Sequence, residues 1–95
     1  MSIEFVWDIR KAASNLRKHG VGFDEAKEIF FDPHSVSFPD DLHSASEDRL
    51  VTIGTSTKLR VLLVVHTETH HFAGGATIRI ISARRATRRE RAFYE

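Results

Sequence analysis

Residues Val61-Leu62-Leu63-Val64-Val65 form an unbroken apolar run, closed by Arg60 on one side and His66 on the other. A short continuous run of this kind reads as a central strand covered on both faces, because a half-exposed strand would alternate with polar residues. It is far too short to cross a bilayer as a helix. Such a strand needs partners on both edges and a layer against its faces. Leu50–Gly54 supplies one β-branched partner, with Thr55–Lys58 as the turn between them. Thr77–Arg84 supplies another, and Thr67–Ala76 reads as a loop ending in Gly74-Gly75. Along that last strand Ile78, Ile80 and Ser82 are expected to point one way, and Arg79, Ile81 and Ala83 the other.

The N-terminal half reads as helical after a short strand at Phe5–Trp7. Asp8 is placed to cap a first helix, since its carboxylate accepts from orphan amides of the first turn. Ile9, Ala12, Ala13 and Leu16 follow at i, i+3, i+4 and i+7 and predict the buried face. Arg17, Lys18 and His19 suit the negative end of the dipole, and Gly20 the left-handed residue after it. A second helix is expected from Asp24 to Phe31, ended by Pro33. Pro33–Asp48 reads as a loop with a short strand at Ser35–Phe38, and its acids Asp40, Asp41, Glu47 and Asp48 as solvated. Thr87-Arg88-Arg89-Glu90 matches the capping box and starts a C-terminal helix. The order β-α-α-loop-β-β-β-α gathers helices before an antiparallel meander and gives an α+β class. Ninety-five residues make one domain, 1–95.

An apolar share of 41% and a charged share of 28% exclude a disordered chain. The absence of cysteine excludes disulfides and thiolate metal sites and suits a reducing compartment. With no secretory leader or membrane span visible, the expected location is the cytoplasm. The net charge of +1 hides a division. Residues 1–48 carry five Lys/Arg against ten Asp/Glu, a balance of −5; residues 49–95 carry nine against three, a balance of +6. A basic half of this kind suits a polyanion.

The basic excess is concentrated between Arg79 and Arg91, which holds six arginines and one acid, Glu90. Arginine keeps its charge at every working pH and grips phosphate with a planar fork. Arg79, Arg84, Arg85, Arg88 and Arg89 are therefore candidates for RNA phosphate contact, against the plainer reading of a solvated helix surface. Arg49 and Arg60 begin adjacent strands and either cradle a phosphate or guard a sheet edge. Trp7 stacks a base or sits in the core. Tyr94 is a possible proton donor or positioning group. Six histidines are present: His19, His34, His43, His66, His70 and His71. The set His66, His70 and His71 lacks a carboxylate at helical ligand spacing, so neither metal nor cofactor is expected. His66 alone stands as a candidate general base.

Two blocks carry a family resemblance. Trp7-Asp8, Lys11-Ala12, Asn15, Lys18-His19-Gly20-Val21, Phe23, Glu25-Ala26, Phe30 and Asp32-Pro33 look like the opening signature of the BrnT family. The ending Ile78–Glu95 resembles its C-terminal block. The resemblance implies a RelE-like fold, with two N-terminal helices packed on a small, mostly antiparallel sheet and a short Arg-rich C-terminal helix. It implies an endoribonuclease toxin that arrests growth, and a BrnA-like ribbon-helix-helix antitoxin through which alone DNA is touched. It also implies metal-independent attack of a ribose 2′-OH on the adjacent phosphate. By position, Arg79 and Arg84 fit the last-strand arginine and Tyr94 the terminal aromatic. The expected grip is a concave sheet face bearing Arg49, Arg60, Arg79, Arg84 and Tyr94. Arg85, Arg88 and Arg89 extend it or dock an acidic antitoxin. Arginine cannot act as the base, which leaves His66, Glu90 or a substrate-assisted route. A non-catalytic RNA-binding module and a pure antitoxin-binding module are the alternatives.

Overall fold

A computed structural model describes residues 2–40 and 48–95. The elements are β1 (Ile3–Val6), α1 (Ile9–His19), α2 (Phe23–Ala26) running into a 3-10 helix (Lys27–Phe31), β2 (Val36–Pro39), β3 (Leu50–Thr55), β4 (Val61–His70), β5 (Ala76–Arg85) and α3 (Arg88–Tyr94). The five strands lie in the order β1-β5-β4-β3-β2. β1 runs parallel to β5 and the other pairs are antiparallel. This is an α+β fold with a mixed sheet. His43, Asp41 and Glu47 fall outside the described residues.

β4 is the central strand, as its apolar run requires. Leu62 and Val64 turn to one face, where they join Val21, Phe23, Ala26 and Ile29 beneath the helices. Leu63 turns to the other face with Val51 and Ile53. The first face is closed by α1, α2 and the 3-10 helix. Among the described residues the second, the open face, carries only the short α3 across part of it. β4 runs on to His70 where a loop was expected, because Thr67, Glu68 and Thr69 pair with Arg79, Ile78 and Thr77. The turn is thereby reduced to residues 71–75, in which Gly74 and Gly75 take positive φ.

The second helix also differs from its expected form. It starts after Gly22, not Asp24, and tightens to 3-10 geometry from Lys27. There it crosses β3 at Gly54, where a Cβ would come within 3.0 Å of the Ile29 Cβ and 3.1 Å of the Ile29 carbonyl. A side chain there would press the 3-10 helix outward by a few tenths of an ångström.

α1 has the expected ends and an unexpected rotation. Asp8 accepts from the Arg10 amide at 2.8 Å and the Lys11 amide at 3.1 Å, and Gly20 closes the helix at φ 68. Yet Ile9 is 82% exposed and Leu16 54%, whereas Asn15 is buried. The cause lies in β5. β1 pairs only with Ala76–Arg79, so the outer edge of β5 beyond Arg79 has no strand against it among the described residues. The Asn15 carboxamide takes that place. Its Oδ1 accepts from the Ala83 amide at 3.1 Å, and its Nδ2 donates to the Ala83 carbonyl at 2.7 Å and the Val21 carbonyl at 2.9 Å. Buried backbone groups must be paired, and satisfying these turns Ile9, Ala13 and Leu16 away from the sheet and leaves Ala12 alone of the expected face against the core.

A second irregularity matters for the site. Val65 pairs with Ser82 but His66 pairs with Ile80, so Ile81 is a bulge with no opposite residue. The strand phase flips there. Ile78, Ile80 and Ala83 share the helix-covered face, which corrects the expected alternation. The extra residue brings Arg79 and Arg84, five positions apart, onto one face, the open one.

Candidate active site

The register of the sheet arranges the open face in rows. Val36, Ile53, Leu63 and Arg84 lie in one; Phe38, Val51, Val65 and Ser82 in the next. Beyond them, Thr67 pairs with Arg79, and Arg49 stands one residue before the Leu50–His66 pair, in the same row. The Asp40 amide continues that end of the ladder by donating to the Arg49 carbonyl at 2.9 Å. Four residues of β4 separate the Arg79 row from the Arg84 row, about 13 Å at the strand rise. Between them lies a groove of about 480 Å³. Phe38, Val51, Ile53, Leu63, Val65 and Phe93 make its apolar lining, and Asp40, Ser82, Arg84 and Glu90 its polar one.

Arg84 is held by Glu90 in a two-toothed pair, Nη1 to Oε1 and Nη2 to Oε2, both at 2.8 Å. Glu90 is set in place by the capping box of α3, since Oε1 also accepts from the Thr87 amide at 2.9 Å. Arg84 and the Thr87 contacts together hold the Glu90 carboxyl down at about 2, against the desolvation that opposes them. Arg84 is raised in turn by the same pair. The groove thus contains a permanent cation whose fork is already shaped for an oxyanion. Arg85, Arg88, Arg89 and Arg91 are exposed around the start and outer side of α3.

Tyr94 is part of the framework. Its hydroxyl donates to Asp32 Oδ2 at 2.5 Å and accepts from the Thr55 hydroxyl at 2.8 Å. Asp32 also accepts from the amides of Thr55 and His34. Tyr94 is raised by the Asp32 carboxylate. This ties the end of α3 to the end of the 3-10 helix and engages the Tyr94 hydroxyl, read from the sequence as a proton donor or positioning group, in pinning the two together.

Four sequence candidates lie off this face, among them Arg85, whose pair Leu62 turns to the helix-covered side. Arg60 is bound to Glu25 through both Nε and Nη2 and also donates to the Gly20 carbonyl. That ion pair sits on the helix side, and the guanidinium beside Glu25 lowers its carboxyl. Trp7 is half-buried against Phe23, edge to face at 5.9 Å, which is its core reading. His66 is fully buried on the helix-covered face, with Phe30 edge-on at 4.8 Å. Its Nε2 shares a hydrogen bond with Thr52 Oγ1 at 2.7 Å, while Nδ1 lies buried without a hydrogen-bond partner. A general base must reach its proton, and from this position His66 reaches nothing on the groove side. Among the described residues no group of three or more His, Asp or Glu side chains is arranged to hold a metal.

Burial pushes the His66 imidazole below its ordinary value of 6.5. The unfolded chain therefore binds the extra proton first as pH falls. The stabilising effect of a neutral His66 is complete above pH ~6.5 and is lost progressively below it. Urea midpoints at pH 7.5 and 5.5 are expected to fall further in the native chain than in His66→Leu.

The family model described as "Ribonuclease toxin, BrnT, of type II toxin-antitoxin system" matches residues 7–90. The chain belongs to the BrnT family. It is therefore a ribonuclease toxin of a type II toxin–antitoxin system, and such a system implies an antitoxin partner and an RNA substrate. The fold is similar to that of the Brucella abortus ribonuclease toxin BrnT, solved at 1.1 Å, with a TM-score of 0.65. The two share 24% identity over 93% of this chain and 100% of the other. No curated protein matches. The matched span of this BrnT chain takes in the groove lining apart from Phe93, together with Arg49, Arg79, Arg84 and Glu90, and stops before Tyr94. No described helix is long and apolar enough to cross a membrane.

The apolar floor of the groove went unseen in the sequence, although Val51, Ile53, Leu63 and Val65 alternate on paired strands and were open to that reading. The bulge left no such signal.

Proposed function

We propose that this toxin cleaves RNA on the open face of its sheet, without a metal ion, by attack of a ribose 2′-oxygen on the neighbouring phosphorus. One observation carries the reading. The bulge at Ile81 sets Arg84, which lines the groove, on the same face as Arg79, and the sheet register carries Arg49 to that face as well. On this reading the site works as a RelE-like one would, with arginine as the phosphate-binding residue.

The scissile phosphate takes the fork of Arg84 and displaces Glu90. Freed of its partner, the Glu90 carboxylate rises from about 2 toward the ordinary value of 4.5 and becomes a better proton acceptor. It takes the 2′-hydroxyl proton. The 2′-oxygen bonds to phosphorus, the bond to the 5′-oxygen breaks, and that oxygen leaves with a proton from water. Arg84 faces the charge that grows on the pentavalent phosphorus, where a preorganised donor has its largest effect. Arg49 and Arg79, about 13 Å along the sheet, hold a flanking phosphate. The apolar floor takes an unstacked base against Phe38 or Phe93, without sequence choice. The antitoxin is a BrnA-like ribbon-helix-helix protein that brings the toxin to DNA, and the toxin works in the cytoplasm.

Purified toxin, freed of partner, is incubated with naked RNA in excess EDTA. The expected products carry 2′,3′-cyclic phosphate on one side of the cut and a 5′-hydroxyl on the other. RNA left intact in EDTA but cut on adding Mg²⁺ would overturn the metal-free mechanism.

A further inference from the structure

α1 presents an apolar stripe that the fold itself does not use. Ile9, Ala13 and Leu16 stand at i, i+4 and i+7 on one sector, with Ile9 82% and Leu16 54% exposed. They turned outward because Asn15 took the inward position. Beside the stripe runs a groove of about 200 Å³ between α1 and the start of α2, with Trp7 and Phe23 in its wall and the exposed Asp24, paired with Lys27, at its far side from Arg10 and Arg17. Arg10 and Arg17, seven apart, follow one border of the stripe, and α1 carries no acid at all.

We propose that this stripe is the anchoring surface for the antitoxin, which lays an amphipathic helix along α1, large apolar side chains inward and Asp or Glu against Arg10 and Arg17. The proposal rests on the toxin–antitoxin membership and adds where the partner binds. Charge selects the occupant. A second copy of the chain, packing α1 antiparallel on α1, would set Arg10 beside Arg17 of the partner subunit, a like-charge pair at helix-contact range. RNA would seek the cations and leave Ile9 and Leu16 in water. An acidic amphipathic helix satisfies both the stripe and its border. Because α1 lies on the face of the sheet opposite the Arg84 groove, this anchoring is separable from catalysis.

The test titrates separately purified cognate antitoxin onto the full chain and onto Ile9→Glu/Leu16→Glu, with circular dichroism confirming that the exposed substitutions keep the fold. The double variant is expected to bind at least 100-fold more weakly while still cutting RNA at the native rate. Arg10→Glu/Arg17→Glu is expected to bind more weakly and with a smaller dependence on salt. Equal binding by native chain and double variant would overturn the surface and leave the toxin–antitoxin reading standing. No antitoxin binding by the native chain would overturn both. A native dimer that the double variant dissociates would overturn the proposal in favour of a second copy, and hydrogen-exchange protection of α1 by RNA would overturn it in favour of nucleic acid.

Discussion

Arg84→Ala is expected to lower kcat/KM for RNA cleavage by roughly 10²–10³, the loss typical of one preorganised donor to a transition-state oxyanion. The same change removes the partner of Glu90, so folding and catalysis have to be separated. The pair is a third exposed, with side chains 39% and 26% accessible, and Glu90 retains its amide contact with Thr87. The loss of stability is therefore expected to stay within about 1 kcal/mol. Arg84→Lys restores the charge but not the fork and should recover only part of the rate. Arg60→Ala is the contrasting variant: its guanidinium serves Glu25 on the helix side, so it should weaken the fold and leave the rate of the folded fraction near native. A variant with unaltered cleavage at Arg84, measured under single turnover, would remove Arg84 from the chemistry.

The largest loss of stability is expected at Asn15. Asn15→Ala leaves the Ala83 amide, the Ala83 carbonyl and the Val21 carbonyl without the partners they now have, in a buried position. At roughly 1–3 kcal/mol for each group left unsatisfied, partly recovered by water, the cost is about 3–5 kcal/mol. In a domain of this size that is a drop in Tm of roughly 15–30 °C. Urea unfolding read by tryptophan fluorescence measures it, since Trp7 packs on Phe23 beside the same helix. Asn15→Asp, which keeps the shape but loses the Nδ2 donor, should also be strongly destabilised. A midpoint close to native in both would mean that α1 does not complete the edge of β5.

These two residues show what was legible in the chain and what was not. The central strand announced itself because burial on both faces leaves a mark in composition. The caps did so because Asp8, Gly20 and the Thr87–Glu90 box act through neighbours in sequence. The inward face of α1 was misread for the opposite reason. Hydrophobic periodicity marks Ile9, Ala12, Ala13 and Leu16, and only Ala12 packs on the core, because the geometry is decided by the outer-edge backbone of Ala83, 68 residues from Asn15. An asparagine in the middle of an amphipathic helix was the available warning. The bulge was harder still. Ile81 is an ordinary strand residue, and the one trace of the phase flip is that small Ala83, not Ser82, continues the buried series of Ile78 and Ile80. Once the flip is known, Arg79 and Arg84 share a face; without it a strict alternation of two separates them. His66 and Arg60 lie on the helix side of the sheet, and nothing local tells which face will receive the helices, or that Glu25 lies 35 residues away from Arg60.

The central claim is that RNA lies on the open face, in the groove between α3 and the strands. It is tested most directly by mapping a short RNA with 2′-O-methyl ribose, which binds but cannot be cut, onto the isotopically labelled toxin by NMR. Shifts are expected to concentrate at Val51, Leu63, Val65, Ser82 and Arg84, with the Ile9 and Leu16 signals unmoved. Shifts gathered on α1 and around Trp7, with the open face silent, would contradict it.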